Sequence, residues 1–393
     1  MSVAPVRIGD LGKVVTGRTP PAAKPEYFGT EHPFITPTDI QGDARYLETI
    51  RSLSDEGLDA FRKIALPTDT VCVVCIGATI GKVCMTRQPS VTNQQINAIV
   101  VDKSKYDPFF VFAAVRQLQE ELKAKAGGAA TPIINKSSFE DIEILVPELN
   151  LQRRIAGILS AYDDLIEVNQ RRVAIVEDMA RRLFDQWFVR FRYPGHEAVP
   201  LVETEAGMVP VGWTLGTVQD VVVLQRGFDL PNTQRSDGPY PVIAATGEHG
   251  LHKEFKVRGP GIVTGRSGSL GKVMHISGDF WPLNTTLWGK DYPLGSTYFA
   301  YFTVSNLPFD TLNAGAAVPS LNRNHVHLLP QVVPPHEVVA LFDNSVAPMF
   351  ALKRSLLVAN ARLRQARDLV LPKLISGEIA VSAAEENFAE AAE

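Results

Sequence analysis

Cysteine is scarce in this chain, with three in 393 residues, too few for a disulfide framework. No stretch approaches the ~18 consecutive apolar residues a membrane helix needs. The opening Met1-Ser2-Val3-Ala4-Pro5-Val6-Arg7 has neither the basic start nor the apolar run of a signal peptide. A cytoplasmic protein is expected. An excess of one charge is also missing: 39 basic against 43 acidic side chains give −4. The whole chain therefore lacks the electrostatic footprint of a stand-alone nucleic-acid binder. The charge is uneven, however. Residues 1–150 are net −2, 151–192 net +2, 193–335 net −2, 336–376 net +3, and the stretch from Gly377 net −5. A nucleic-acid ligand would have to meet a local basic surface, or partners would have to share the phosphate contact.

Signatures of catalysis and of metal are thin. Cys72 and Cys75 form a C-x-x-C inside the apolar run Val71–Ile76, which reads as a buried strand. Positions i and i+3 of a strand point to opposite faces, so the thiols diverge and packing is the expected role. Gly77-Ala78-Thr79-Ile80-Gly81-Lys82-Val83 is not a phosphate loop: it has one residue too few between the glycines and valine in place of Ser/Thr. Ser305-Asn306-Leu307-Pro308-Phe309 is faintly similar to an adenine-methyltransferase site but lacks its first proline, and no glycine-rich cofactor loop precedes it. His249, His252, His275, His325 and His327 lack metal-site spacing and read as surface or turn histidines.

What the chain does have is a repeat. Ile76–Val83 returns as Arg266–Val273, Asn93-Gln94-Gln95 as Asn284-Thr285-Thr286, and Thr131–Lys136 as Val318–Arg323, at separations of 190, 191 and 187. Each last segment follows small residues, Gly127–Ala130 and Gly315–Ala317, and leads to an apolar strand ending in proline. Thr16-Gly17-Arg18-Thr19-Pro20 answers loosely to Arg226-Gly227-Phe228, 210 apart, so the first copy holds extra residues before its Gly-Lys-Val turn. Dense glycine and proline punctuation predicts short strands: Val71–Ile76, Ala98–Val101 and Ile142–Val146, then Gly261–Thr264, Lys272–Ile276 and Val326–Val333. One helix is expected in each copy, near Phe109–Ala124 and Thr297–Ser305.

A long helix follows each module. In the first, Ile155, Leu159, Tyr162, Ile166, Asn169, Val173, Val176, Ala180, Leu183 and Trp187 alternate steps of four and three. That is the seam of a helix packed along another helix, with Asn169 its one polar residue. Pro194-Gly195 is expected to end it. In the second, Phe342, Val346, Met349, Leu352, Leu356, Leu363, Ala366, Val370 and Leu374 form a comparable stripe, and Pro348 is expected to kink its first turns. A helix of ~38 residues runs ~57 Å, longer than a small mixed domain can cover, so the two are expected to pack on each other.

Here the chain resembles the DNA-specificity (S) subunits of type I restriction-modification systems. The resemblance rests on Leu151-Gln152-Arg153-Arg154-Ile155-Ala156-Gly157-Ile158-Leu159-Ser160-Ala161, on Asp163-Asp164-Leu165-Ile166, and on Met179–Phe184 with Trp187-Phe188. Val209-Pro210-Val211-Gly212-Trp213, Leu371–Gly377 and the opening Gly9–Gly12 add to it. The second helix departs from the pattern, opening with His336-Glu337-Val338-Val339-Ala340. The resemblance implies an α+β fold with an internal pseudo-two-fold repeat: two mixed α/β target-recognition domains in tandem, separated by two long helices forming an antiparallel coiled coil. Expected boundaries are 1–148 and 213–335 for the recognition domains, 149–193 and 336–376 for the helices, 194–212 for a linker, and 377–393 for an acidic, disordered tail. It also implies a non-catalytic protein. Each domain would read half of a bipartite site in double-stranded DNA. Two methyltransferase (M) subunits would dock on the helices and restriction/translocase (R) subunits would join. S-adenosylmethionine, ATP and Mg are expected on those partners only, and no membrane is involved. The rival readings are a self-contained adenine-N6 methyltransferase and a coiled-coil adaptor without sequence readout.

Polar residues on the repeated turns are the candidates for DNA contact: Thr16, Arg18, Thr19, Lys82, Asn93, Gln94, Asn135 and Lys136 in the first module, and Arg226, Thr246, Arg266, Ser267, Lys272, Asn284, Asn322 and Arg323 in the second. Arginine and lysine suit guanine or phosphate, and Asn and Gln suit adenine. The competing expectation is that these turns are structural, with polar groups satisfying the backbone.

Overall fold

The computed structural model describes residues 3–42, 44–127, 132–313, 319–376, 378–384 and 388. The small-residue stretches before the last repeated segment lie outside this set except for Gly127, as do Thr131, Val318, Gly377 and most of the expected tail. The chain divides into two compact units: Met1–Arg171 with Leu356–Glu393, and Arg172–Ser355. Each unit holds one module and part of both long helices.

Unit 1 centres on an antiparallel sheet in the order Gly12–Thr16, Ile96–Val101, Val71–Val74, Val83–Met85. All four residues of Val71–Val74 are buried, because both faces of the sheet are covered. Side chains alternate between faces with period two. Val71, Val73 and Cys75 thus join one apolar cluster, and Cys72 and Val74 another. The two thiols diverge as expected. Cys72 instead faces Cys84 across the ladder, and burial pushes the Cys75 thiol up to about 11. A second sheet ends in a parallel pair, His32–Ile35 with Val91–Thr92, and Val3–Arg7 closes against Glu143–Pro147.

Unit 2 repeats the plan. Its central sheet runs Val223–Arg226, Thr286–Asp291, Gly261–Gly265, Val273–Ile276. Tyr240–Ala244 pairs in parallel with Trp281–Pro282, and Thr214–Thr217 closes against Pro330–Val333. The helix Thr297–Ser305 has the expected bounds, while its counterpart is two helices, Pro108–Gln117 and Gln119–Lys125. Asp107 caps the first of these, accepting from the N–H groups of Phe109 and Phe110, and Ser296 caps Thr297–Ser305 in the same way.

Several expectations give way to local physics. The span Val326–Val333 is not one strand. Asn322 caps a short helix, Arg323–His327, and the strand begins at Pro330. The first long helix is α-helical from Leu149 to Phe184 and widens to a π turn over Asp185–Val189, ahead of Pro194. That turn carries Trp187 and Phe188 into the unit 2 core. The second long helix runs unbroken from His336 to Ser376 through Pro348, whose ring lies on the exposed face. Residues 194–212 contain a hairpin, Leu201–Thr204 with Gly207–Pro210. Beyond the second helix, Val381 and Ala384 are buried and Phe388 sits 4.7 Å from the Tyr162 ring, so this part of the expected disordered tail is packed. His252 is buried beside Trp281 rather than on the surface.

Candidate nucleic-acid interface

Four segments that are distant in sequence meet at one end of each central sheet. In unit 1 the amide of Gly17 donates to the Ile96 carbonyl (3.2 Å), Cys75 to Gln95 (2.8 Å), Ile134 to Cys75 (2.8 Å) and Gly77 to Pro132 (3.0 Å). In unit 2 the same bonds run from Gly227 to Thr286 (3.1 Å), Arg266 to Thr285 (2.8 Å), Leu321 to Arg266 (2.8 Å) and Gly268 to Pro319 (2.9 Å). These pairs correct the register of the repeat. Arg266 stands in the place of Cys75 rather than Ile76, and Asn284 in the place of Gln94 rather than Asn93. Sequence matching missed the slip because the first module has one more residue in the turn between Gly77 and Gly81, whose φ values of +99° and +84° match +87° and +84° at Gly268 and Gly271.

Glycine is required where the first segment crosses the third. A Cβ on Gly17 would lie 2.3 Å from the Asn93 carbonyl oxygen, and one on Gly227 2.2 Å from that of Leu283. The residues two positions on then face each other across the same gap. Thr19 Oγ1 donates to Gln94 Oε1 (2.7 Å), and the Asn284 amide donates to Asp229 in the equivalent place.

The candidates separate into two groups. One group is occupied by the fold. Lys82 Nζ donates to the Ile40 carbonyl (2.8 Å) and Lys272 Nζ to that of Thr246 (2.6 Å). Asn93 is buried and hydrogen-bonded to Gln95, while Asn135 and Asn322 cap short helices through Ser138 N–H and Asn324 N–H. Arg266 is partly enclosed and donates to the Asn284 carbonyl, and Ser267 bridges to Ser320. Thr16 donates to the buried Asn97. The other group presents its side chains outward: Arg18, Thr19, Gln94 and Lys136 in unit 1, and Thr246, Arg226 and Arg323 in unit 2 are exposed, with Asn284 half-buried beside them. Lys136 reaches Glu140 at 3.6 Å, a weak surface pair. Asp229 was not legible as a member of the site, since the loose match at Arg226–Phe228 stopped one residue short of it.

Residues 2–178 match the type I restriction modification DNA specificity domain. The chain is 25% identical over 410 residues to the type I restriction enzyme MjaIX specificity subunit of Methanocaldococcus jannaschii, covering 95% of this chain and 93% of that one. Over residues 2–178, and in its curated relatives, the chain is similar to type I restriction-modification specificity subunits. The HindI specificity subunit of Haemophilus influenzae is 35% identical over 158 residues, 38% of this chain and 34% of that one. The crystal structure of a type I S subunit from M. genitalium shares the fold, with a TM-score of 0.58 over 95% of this chain and 96% of that one at 15% identity. The matched relatives are named as specificity subunits, and the matched family model describes a DNA specificity domain. Among its described residues no helix is long and apolar enough to cross a membrane.

In this chain the long helices pack antiparallel within each unit. Unit 1 pairs Asp163 with Arg367 (2.6 Å) and Asn169 with Asn360 (3.0 Å), and unit 2 pairs Glu177 with Lys353 (2.5 Å). The expected seam residues Ile155, Leu159, Tyr162, Ile166, Asn169, Trp187, Phe342, Val346, Leu356, Leu363 and Val370 are buried; Val173, Val176, Leu183 and Met349 are half-buried. Leu352, counted in the second stripe, is 40% exposed. The seam position beside it is Lys353, followed at seven-residue steps by Asn360 and Arg367. Counting steps of four and three from Phe342 without demanding apolar residues finds all three. Burial works against the charge of Arg367, but the hydrogen bond to Asp368 and the charge of Asp163 more than offset it. Arg116, from the module's own helix, reaches the other Asp163 oxygen at 3.2 Å.

Proposed function

We propose that this chain is a specificity subunit that reads a bipartite site in double-stranded DNA, one half with each strand-end cluster, while the two long helices set the distance between the halves. The observation that carries the reading is that the same four segments converge in both units with different outward side chains. Gln94 and Lys136 in one answer to Asn284 and Arg323 in the other, while Arg18 stands where unit 2 has the packed Phe228, and Arg226 where unit 1 has Thr16 bonded to Asn97. A shared scaffold with divergent tips allows two unlike half-sites at a fixed spacing. Arg226, Arg323, Arg18 and Lys136 serve phosphate or guanine, and Gln94 and Asn284 serve adenine. Lys82, Lys272, Asn135 and Asn322 act indirectly, holding the turns. Both modules are net acidic, so tight binding draws on partner subunits for part of the phosphate contact. Those partners are two methyltransferase subunits docked along the helices, joined by restriction subunits. S-adenosylmethionine, ATP and Mg belong to them, and the complex works in the cytoplasm.

The test is to map N6-methyladenine in DNA from cells expressing the chain with its methyltransferase subunit. The expected result is one split motif whose two halves change independently when residues of one cluster are replaced. Methylation by the chain alone would instead make it a self-contained methyltransferase. Equal binding to all sequences in gel-shift competition would make it an adaptor.

A further inference from the structure

The two units differ sharply where the module's helix meets the long helices. Asn135 and Asn322 set a separation of 187 that also relates the seam residues Ile155 and Phe342. The caps Asp107 and Ser296 set 189 for the module helices. On these separations Arg116, Asp163 and Arg367 of unit 1 are answered in unit 2 by Ser305, Phe350 and Ala180. In unit 1 the space is filled from within. Arg116 stacks 4.9 Å above Phe112 and pairs with Asp163. The longer connection between Ile35 and Val74 then lays Ala44-Arg45-Tyr46 over the groove. Arg45 pairs with Asp164 (2.6 Å), and a cavity of about 120 Å³ is left.

Unit 2 has a shorter connection, between Ile243 and Gly265, and among its described residues no side chain takes the place of the arginines. A groove of about 360 Å³ stays open there, floored by Ala180, Phe302, Met349 and Phe350 and flanked by Arg181 and Lys353. The charges are inverted as well. Four carboxylates of unit 1, Asp163, Asp164, Glu167 and Asp368, are replaced by Phe350, Ala351, Arg354 and Arg181. Arg181 and Arg354 are exposed. Lys353 shares its charge with Glu177, and Arg181 leaves the groove's rim net positive, while Arg354 lines the neighbouring cavity beside His275 and Tyr298.

We propose that this groove of unit 2 receives an acidic protein segment of a partner subunit, which inserts one large apolar side chain between Ala180, Phe302 and Phe350. Unit 1 supplies the precedent: its own loop sits on the equivalent groove, basic loop on acidic rim. Unit 2 offers the opposite rim and an apolar floor, which a phosphate backbone would leave unused. The proposal rests on the reading that the chain assembles with methyltransferase subunits.

The experiment uses the full chain and its purified methyltransferase subunit, with stoichiometry and affinity read by native mass spectrometry and titration. Ser305→Arg fills the groove as Arg116 does in unit 1, and Arg181→Asp, at an exposed position, reverses the rim without touching the core. Each is expected to weaken binding of one of the two subunits about tenfold or more, with the thermal midpoint of the free chain unchanged. A benzophenone amino acid at position 305 should crosslink a partner peptide that carries acidic residues beside a large apolar one. If the unaltered chain binds no subunit, the functional reading itself fails. If the unaltered chain assembles and the rim variant assembles equally well, only the groove proposal is overturned. It is likewise overturned if the crosslinked peptide is basic, or if the variants lose random-sequence DNA rather than the subunit.

Discussion

In unit 1 the module grips the long helices with arginines: Arg45 to Asp164, Arg87 to Glu167, and Arg116 to Asp163, which also binds Arg367. In unit 2 those positions form the open groove, and the module meets the long helices through a stack of rings beside it. Phe184 lies 5.3 Å from Phe302 and 5.7 Å from Phe299, and Phe188 lies 4.6 Å from Phe299 and 5.0 Å from Phe342. The strand plan of the two modules is alike, so the difference lies in the attachment alone. Apolar rings are held by burial and tolerate salt. Buried ion pairs gain little net stability over an apolar filling, yet breaking one side is costly because the other charge is stranded. A duplicated module can therefore keep its fold while its two junctions drift to different chemistry.

The largest effect should come from the ring stack. Phe342→Ala removes a fully buried side chain and is expected to cost about 3–5 kcal/mol; urea unfolding followed by tryptophan fluorescence reports it, since Trp187 and Trp213 belong to the same cluster. A loss below about 1 kcal/mol would deny the stack its part. Arg367→Met should cost about 3 kcal/mol by leaving Asp163 to Arg116 alone. Replacing Arg367, Asp163 and Arg116 together by apolar residues should recover most of that loss, and a triple variant as unstable as the single would show that the cost lies in packing instead.

Acid should separate the units next. Burial, then the charge of Lys353, lowers His275 from 6.5 to about 4. Its ring stacks on Tyr298 at 4.7 Å, and its Nδ1 has no hydrogen-bond partner among the described residues. The folded chain thus keeps this imidazole neutral while the unfolded chain takes up a proton. Stability falls as pH drops from 6.5 toward 4, by up to about 3 kcal/mol. His275→Phe should flatten that part of the pH profile of thermal unfolding; an unaltered slope would place the proton uptake elsewhere.

Two smaller effects test the sameness of the modules. Gly17→Ala and Gly227→Ala each push a methyl group into a carbonyl and should each cost about 1–3 kcal/mol, and a harmless change at one site alone would break the equivalence of the crossings. Arg226→Ala and Arg323→Ala should leave stability unchanged, and each should reduce the salt slope of DNA binding by the assembled complex by about one, whereas Lys272→Ala should act on the turn and leave that slope intact.

Composition, spacing and the repeat were enough to find two modules, two long helices and the apolar seam. These depend on short-range rules: periods of 2 and 3.5 and punctuation by glycine and proline, whereas the capping roles of Asn135 and Asn322 appeared only in the structure. The register of the repeat, the occupied state of Lys82 and Lys272, and the polar pairs Asp163–Arg367 and Asn169–Asn360 emerged only in three dimensions. In each case the partner lies tens to hundreds of residues away, and its distance is set by packing rather than by the chain. The open groove of unit 2 is the extreme instance. Nothing in the sequence links Ser305, Phe350 and Ala180, and only their convergence where unit 1 places two arginines and an aspartate makes them a site.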